Sequence, residues 1–257
     1  MNLQPLLLAI PKNLYHRSAH GLFMRITTNG ISLYYEVKGP KDAPALIMLH
    51  GNGEDHTIFD RAVDYLEQAF RVYLVDSRGH GQSSPPVKGE YHYDDMADDL
   101  YDFIRKLDIG DPIICGFSDG GIVALLFAIE HQEIPSRLFV CGANTNPSTL
   151  GGLGMAFVRL RCKGDPRVRM MLTEPDIRPE DLSRIICPVL VVAGSRDCVK
   201  RRDSETIADS VQNGTLCIMK RSDHSSYIVH STRIVDAIFR ECQVDLNKIE
   251  AVYPFSR

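Results

Sequence analysis

Apolar and polar positions alternate in blocks along this chain, and the blocks predict a mixed fold. Two stretches near the start, Leu22–Thr27 and Ile31–Val37, predict a β-hairpin, because Asn29 and Gly30 between them favour a tight turn. The next run, Ala45–Leu49 (ALIML), is apolar throughout, which is typical of a parallel strand covered on both faces.

The same alternation continues to the end of the chain. From Tyr93 to Leu107 apolar residues recur at helical spacing, which predicts an amphipathic helix. Further strands are predicted at Phe70–Val75, Pro112–Cys115, Arg137–Cys141, Pro188–Ala193 and Thr215–Lys220. Further helices are predicted at His56–Gln68, Ser118–His131 and Tyr227–Glu241. This order predicts the α/β class, with a mostly parallel central sheet and helices on both of its faces.

One segment interrupts the alternation. Between residues 143 and 186 no strand pattern is evident, and Gly, Arg and Met are frequent. An insertion between two strands of such a sheet is typical of a lid over the site. We therefore expect one domain over residues 22–242 with a lid at about 143–186, an N-terminal extension at 1–21 and a C-terminal tail at 243–257.

Composition and charge narrow the function. The chain has 257 residues, 44% of them hydrophobic, so it can bury a full core. Its net charge of −4 argues against nucleic-acid binding. No apolar run is long enough to span a membrane, and the short run Leu6–Ile10 lacks the positive start of a secretory signal, so we expect a cytoplasmic protein. The seven cysteines include no C-x-x-C pair, which favours reduced thiols over a zinc site.

The segment Gly116–Gly121 (GFSDGG) carries the candidate nucleophile, Ser118. It follows a predicted strand and opens a predicted helix, the context in which G-x-S-x-G holds a serine on a sharp, strained turn. The helix N-terminus favours negative charge that develops beside this serine. The alternative is a Gly-rich turn in which the serine is only a helix cap.

Two Gly-rich loops follow the preceding strands. In His50–Gly53 (HGNG), the backbone N–H of Asn52 is a candidate oxyanion donor together with the N–H of Asp119. The segment 76–83 (DSRGHGQS) is interpreted as a rigid structural turn. His50 and His80 are rival candidates for the base, but both precede the serine and lie in Gly-rich turns, which favours structural roles.

The acid and base are expected after the serine, in the order Ser, Asp, His. Asp197 follows the predicted strand Pro188–Ala193, and His224 follows the predicted strand Thr215–Lys220. Carboxyl ends of strands are where open α/β sheets bind their ligands. Asp223 is the nearest rival acid but is badly placed to hold the ring of the residue beside it, and His230 falls inside the predicted last helix.

Taken together, HGNG, DSRGHGQS, GFSDGG, GSRD at 194–197 and DH at 223–224 resemble the α/β-hydrolase superfamily over roughly Met24 to Cys242. The resemblance implies a triad of Ser118, Asp197 and His224, an oxyanion hole from Asn52 and Asp119, and no cofactor. This chain departs from the family in having Ser222-Asp223 where a glycine usually precedes the histidine, and Asp119 where Met or Gln often follows the serine. Haloalkane dehalogenases and epoxide hydrolases are excluded because they use an aspartate at the position of Ser118.

The expected function is cleavage of a small-molecule carboxylic ester with a small or medium acyl group, through an acyl-enzyme. Alternatives on the same triad are a C–C bond hydrolase, an amidase, a thioesterase and a perhydrolase. A hydrolase-like receptor with little turnover is the alternative of another class. The oligomeric state stays open.

Substrate contacts are expected from several residues around the serine and in the lid. The candidates are Glu54, Phe117, Asp119, Met170 and Met171. The turn around Ser118, with Asp119 directly after the serine, resembles that of a branch of the superfamily that hydrolyses amino-acid esters. This resemblance implies a carboxylate placed for a cationic substrate. Complementing the helix N-terminus is the alternative role of Asp119, and we slightly prefer it. The basic lid residues argue for the opposite substrate charge, although we interpret them as a solvated face; they are Arg159, Arg161, Lys163, Arg167 and Arg169.

Overall fold

The protein is built on one nine-stranded sheet. The computed structural model describes residues 16–18 and 21–249. The strands are β1 His16–Ser18, β2 Gly21–Thr28, β3 Ile31–Lys38, β4 Ala45–Leu49, β5 Arg71–Val75, β6 Ile113–Phe117, β7 Arg137–Cys141, β8 Val189–Gly194 and β9 Gly214–Met219. Their order across the sheet is β1-β2-β3-β5-β4-β6-β7-β8-β9.

The sheet begins antiparallel and continues parallel. Strands β1, β2, β3 and β5 pair antiparallel in succession, and every pair from β5–β4 to β8–β9 is parallel. The predicted hairpin is present, with Asn29 and Gly30 both at positive φ in its turn. Strand β1 lies inside the segment 1–21, so the sheet extends into the predicted N-terminal extension. Residues 1–15 of that extension lie outside the described residues, as does the end of the tail from residue 250.

Helices cover both faces of the sheet, as the predicted fold class requires. They are α1 Asp60–Leu66, α2 Tyr93–Lys106, α3 Asp119–Glu130, α4 Gly152–Arg161, α5 Pro166–Met170, α6 Pro179–Leu182, α7 Arg201–Ser210 and α8 Arg233–Glu241. Two hydrophobic clusters lie on opposite faces of the sheet, because successive strand residues point to opposite sides: Ile47 belongs to one cluster, and Leu46 and Met48 to the other. Within the described residues, no helix combines the length and the apolar character that crossing a bilayer requires.

Two predicted helices begin later than expected. The segment from His56 starts as a 3-10 turn, His56–Phe59, and becomes α-helical only at Asp60. The predicted helix Tyr227–Glu241 was wrong over residues 227–232, because His230 takes a positive φ of 46°, which a helix does not allow. His230 therefore lies in a turn before α8.

The segment predicted as a lid contains only short helices. Between β7 and β8 the chain forms a 3-10 turn at Pro147–Thr149 and the helices α4, α5 and α6, with no strand in this stretch. Helix α4 exposes large apolar side chains, with Phe157 55% and Leu160 79% exposed.

Candidate active site

Ser118 lies at the sharp turn between β6 and α3. Its φ of 51° and ψ of −114° are outside the regions that L-residues commonly adopt. Glycines make this turn possible: a Cβ on Gly116 would lie 2.1 Å from the Gly120 carbonyl oxygen, and a Cβ on Gly120 would lie 2.4 Å from the Leu49 carbonyl oxygen. The backbone therefore holds the serine on the strand–turn–helix that its motif predicts.

Three polar side chains from three different strand ends meet at this turn. His224, after β9, has its Nε2 atom 3.1 Å from Ser118 Oγ and its Nδ1 atom 2.7 Å from Asp197 Oδ1, after β8. This geometry fits an imidazole that donates through Nδ1–H to the carboxylate and accepts the serine proton at Nε2. Hydrogen-bonding distances of this kind are what nucleophilic catalysis by serine requires.

Asp197 is fixed by the backbone as well as by the histidine. Its carboxylate accepts hydrogen bonds from the N–H groups of Gly194, at 3.1 Å, and Val199, at 3.0 Å. Burial alone would raise the pKa of Asp197, but the hydrogen bond and charge of His224 outweigh it and lower the pKa. Burial likewise opposes the charged form of His224, yet Asp197 and the neighbouring Cys198 hold its pKa above the ordinary value. The pair is therefore built to carry a positive charge on the imidazole.

The two rival histidines make hydrogen bonds to the backbone instead. His50 Nδ1 lies 2.8 Å from the Gly51 carbonyl oxygen, and its Nε2 accepts from the Ser77 N–H at 3.0 Å. Both ring nitrogens are thus occupied, and burial lowers the pKa of His50. His80 Nδ1 lies 2.9 Å from the Arg78 carbonyl oxygen, and burial lowers the pKa of His80 to about 4.

The loop with the candidate oxyanion donors lies directly against Ser118. A Cβ on Gly51 would be 3.1 Å from Ser118 Cβ. The Asn52 side chain donates to Asp119 Oδ2 at 2.9 Å and to the Arg167 carbonyl oxygen of α5 at 3.2 Å. Since Asp119 is the first residue of α3, its N–H has no partner within the helix. The two candidate donor residues are therefore tied to each other and to the lid.

The carboxylate of Asp119 does not face the cavity, contrary to the expectation that it contacts substrate. It is 4% exposed and accepts hydrogen bonds from Asn52 Nδ2 and from the Tyr93 hydroxyl, each at 2.9 Å. Burial raises the pKa of Asp119 to about 6, although both hydrogen bonds favour the charged form. Its side chain links the loop of Asn52 to α2.

A cavity of about 340 Å³ opens above Ser118 and His224. Its walls are mainly apolar and come largely from the lid; they include Phe117, Leu150, Phe157, Val158, Val168 and Met171. Of the remaining candidate contacts, Glu54, Phe117 and Met171 line this cavity. Met170 does not: it is 5% exposed and packs into the core, because a neighbour in a helix points to another side.

The cavity is also lined by residues that the sequence did not single out for the site, among them Cys198 and Arg161. Cys198 directly follows Asp197, and Arg161 ends helix α4. The position of Cys198 beside the candidate acid was a signal that could have found it. Nothing local distinguished Arg161 from the other basic residues of the lid.

A second histidine lies between two carboxylates at some distance along the chain from the triad. His56 Nδ1 lies 2.7 Å from Asp76 Oδ1, and His56 Nε2 lies 3.0 Å from Glu36 Oε1. Burial opposes the charge, but the two carboxylates raise the pKa of His56 to about 9. Asp76 also accepts from the Gln82 N–H at 2.8 Å, so the predicted rigid turn at 76–83 is confirmed.

His224 and His56 each belong to a group of potential metal ligands. Asp197, Cys198 and His224 have ligand atoms within 4.8 Å of one another, as do Asp55, His56 and Asp76. In both groups the histidine Nδ1 lies 2.7 Å from a carboxylate oxygen. Ligand atoms around a tetrahedral zinc ion are separated by about 3.3 Å, so these contacts fit hydrogen bonds better than a shared ion.

Comparison with known protein families adds independent information. Residues 44–160 match the family model described as the alpha/beta hydrolase fold. The AB hydrolase superfamily protein YisY of Bacillus subtilis is 40% identical, in an alignment that covers 74% of this chain and 88% of that protein. The 3-oxoadipate enol-lactonase 2 of Acinetobacter baylyi is 26% identical, over 78% of this chain and 90% of the relative.

Solved structures agree in fold. The esterase RhEst1 from Rhodococcus sp. ECU1013 matches with a TM-score of 0.73 over 86% of this chain and 98% of its own, at 20% identity. The enol-lactonase from Burkholderia xenovorans matches with a TM-score of 0.71 over 85% of this chain, at 18% identity. At these identities the likeness concerns the path of the backbone.

Proposed function

Because this chain is an enzyme of the α/β-hydrolase superfamily, we propose that it cleaves carboxylic esters of small or medium acyl groups, with Ser118 as the nucleophile, His224 as the base and Asp197 as the acid. The observation that carries the proposal is the continuous hydrogen-bonded chain from Ser118 Oγ through His224 to Asp197, with distances of 3.1 and 2.7 Å.

The proposed reaction begins with proton transfer. His224 Nε2 takes the hydroxyl proton while Ser118 Oγ attacks the ester carbonyl carbon. Asp197 stabilises the imidazolium, in accord with the raised pKa of His224. His224 then returns the proton to the departing alcohol, and a water molecule attacks the acyl-enzyme by the same route.

The developing oxyanion needs donors near Ser118. We assign this role to the backbone N–H groups of Asn52 and Asp119, since the loop of Asn52 contacts the serine and Asp119 begins α3. One such donor contributes roughly 3–4 kcal/mol to transition-state stabilisation. The hydrogen bond between the side chains of these two residues would hold both donors in one position.

The volume of the cavity supports a small or medium acyl group. At about 340 Å³ it is near the lower end of ordinary ligand pockets. The Acinetobacter relative supports ester cleavage, since by its name it acts on an enol lactone, which is a cyclic carboxylic ester.

The test combines labelling with turnover. A fluorophosphonate probe should attach to Ser118, as identified by peptide mass spectrometry, and should not label the Ser118→Ala variant. A series of p-nitrophenyl esters of increasing acyl length should be hydrolysed, with short and medium chains preferred. An adduct on another residue would overturn the nucleophile assignment, and tight ester binding with almost no turnover would support a receptor instead.

A further inference from the structure

Some of the charged side chains that line the cavity have an ion-pair partner, and others do not. Besides His224, the charged residues that line it are Glu54, Arg161 and Asp165. Asp165 is paired with the Arg167 guanidinium through contacts of 2.7 and 2.9 Å. Glu54 and Arg161 are therefore the two charged groups available to a substrate.

Glu54 lies at the inner end, next to the nucleophile. Its Oε2 atom accepts the Gly51 N–H at 3.0 Å, and the same atom and Ser118 Cβ would be 2.8 and 3.1 Å from a Cβ on Gly51. Burial raises the pKa of Glu54, although the hydrogen bond from Gly51 opposes the shift. This carboxyl group thus lies beside Ser118 and has a reduced tendency to carry charge.

Arg161 lies on the lid side of the cavity. It is exposed, and within residues 16–18 and 21–249 no acidic side chain forms an ion pair with it. Its guanidinium carbon lies 5.5 Å from the ring centroid of Phe157, which lines the same cavity. Stacking on an aromatic ring limits the freedom of the guanidinium and leaves its N–H groups for a planar anion such as a carboxylate.

The surroundings of Arg161 strengthen its positive potential. The neighbouring Arg159, Lys163 and Arg169 are exposed as well, on a chain whose net charge is −4. A local excess of one sign beside a cleft attracts ligands of the opposite sign. The cavity that Arg161 and Ser118 share is also lined by apolar side chains, among them Val158 and Met171, which suit a chain of methylene groups.

We propose that Arg161 selects esters whose acyl chain ends in a carboxylate, so that the natural substrates are monoesters or lactones of dicarboxylic acids. The ester carbonyl lies at Ser118, the methylene chain lies along the apolar wall, and the carboxylate pairs with the guanidinium at the lid. This assignment rests on the proposed ester hydrolase function. It replaces the sequence-based interpretation of Arg161 as part of a solvated face.

The test compares monomethyl adipate with methyl hexanoate, two six-carbon acyl chains that end in a carboxylate and in a methyl group. Hydrolysis is followed by base consumption at constant pH. A partly exposed charge-assisted contact predicts a kcat/KM for the adipate ester on the order of tenfold higher. In Arg161→Gln this ratio should fall to about one, mainly through KM, and Arg161→Lys should retain part of the preference.

Arg159→Gln is the matched control, because it removes the same charge from the same helix at a residue that does not line the cavity. Its ratio should stay near that of the wild type. The assignment is wrong if the wild type shows no preference for the adipate ester, if Arg161→Gln keeps that preference, or if Arg159→Gln loses it equally. Hydrolysis of methyl hexanoate without any preference would leave the ester hydrolase proposal standing. If neither ester is cleaved and Ser118 takes no fluorophosphonate label, the proposed function itself is wrong, and this assignment falls with it.

Discussion

Two histidines in this molecule are held by an aspartate in the same way, yet their surroundings differ. His224 and His56 each have Nδ1 at 2.7 Å from a carboxylate oxygen. The other ring nitrogen of His224 faces the Ser118 hydroxyl, whereas that of His56 faces a second carboxylate, Glu36. An aspartate partner alone therefore does not make a histidine a candidate base, which also needs a second ring nitrogen that is free to exchange a proton. The same contact between a histidine and an aspartate can therefore support catalysis in one place and the stability of the fold in another.

Removing His224 should have the largest effect on activity. In His224→Ala we expect kcat for a p-nitrophenyl ester to fall by about 10⁶, since members of a triad act as a unit. The free energy of unfolding should change little, because the side chain is 26% exposed and lies at the cavity. In His56→Ala the pattern should reverse. A His224→Ala variant that keeps substantial activity would contradict the comparison.

Replacing Asp197, the aspartate that contacts His224, should also lower activity severely, but by less than the removal of His224. Asp197→Asn should lower kcat by about 10⁴, because the amide favours the wrong imidazole tautomer. His224 acts as a base only when neutral, so wild-type activity should rise with pH through a pKa above the ordinary histidine value. In Asp197→Asn the surviving activity should rise at lower pH. If the pH at which activity rises is the same in Asp197→Asn as in the wild type, the titrating group is a residue other than His224.

The second pair should control stability rather than rate. His56 is buried between two carboxylates that tie the strand β3 to the end of β5. Breaking such a buried cluster costs about 3–5 kcal/mol, so His56→Gln should unfold at markedly lower urea while kcat changes by less than about tenfold. Loss of activity in a variant that is still fully folded would show that this histidine takes part in the chemistry.

The same cluster predicts a pH dependence of unfolding. Its folded pKa of about 9 lies above the ordinary histidine value, so the stability due to the charged ring is fully present below about pH 6.5 and is lost as pH rises through 9. Urea unfolding of the wild type from pH 6 to 10 should show this decline, and His56→Gln should show only the smaller part that comes from His224, whose pKa is raised as well. An equal decline in both proteins would remove His56 as its cause.

A third pair of a histidine and an aspartate, His230 and Asp60, is expected to give the smallest effect. His230 Nδ1 lies 2.9 Å from Asp60 Oδ1, but both side chains are about half exposed. His230→Asn, which suits the positive φ of this position, should change the free energy of unfolding by about 0–1 kcal/mol and leave kcat unchanged. A larger change would mean that burial is not what separates the three pairs.

Order along the chain allowed one of these pairs to be predicted and concealed the other. Asp197 and His224 each follow an apolar strand, and parallel strands bring their carboxyl ends to one edge, so the sequence predicts that they meet Ser118. His56 meets Glu36 through the antiparallel pairing of β3 with β5, which no local pattern indicates. The fold class was predictable for the same reason as the candidate triad, because apolar runs in the sequence mark the buried strands of the sheet.

Side-chain direction was the part that the sequence could not supply. Asp119 adjoins Ser118 in the chain, yet its side chain points to Asn52 and Tyr93. Met170 and Met171 are neighbours, yet one belongs to the core and the other to the cavity. In the lid, with its short helices, apolar spacing is too brief to identify the inner face.

The turn at Ser118 also has a consequence for how such a protein diverges. Gly116 and Gly120 are constrained by carbonyl oxygens that no side chain can displace, whereas the Ser118 side chain itself is only partly buried. A mutation that exchanges the reactive atom therefore leaves the turn intact, but a mutation of either glycine removes the turn that any nucleophile would need. Over evolutionary time we expect the chemistry at this position to vary more readily than the backbone that presents it.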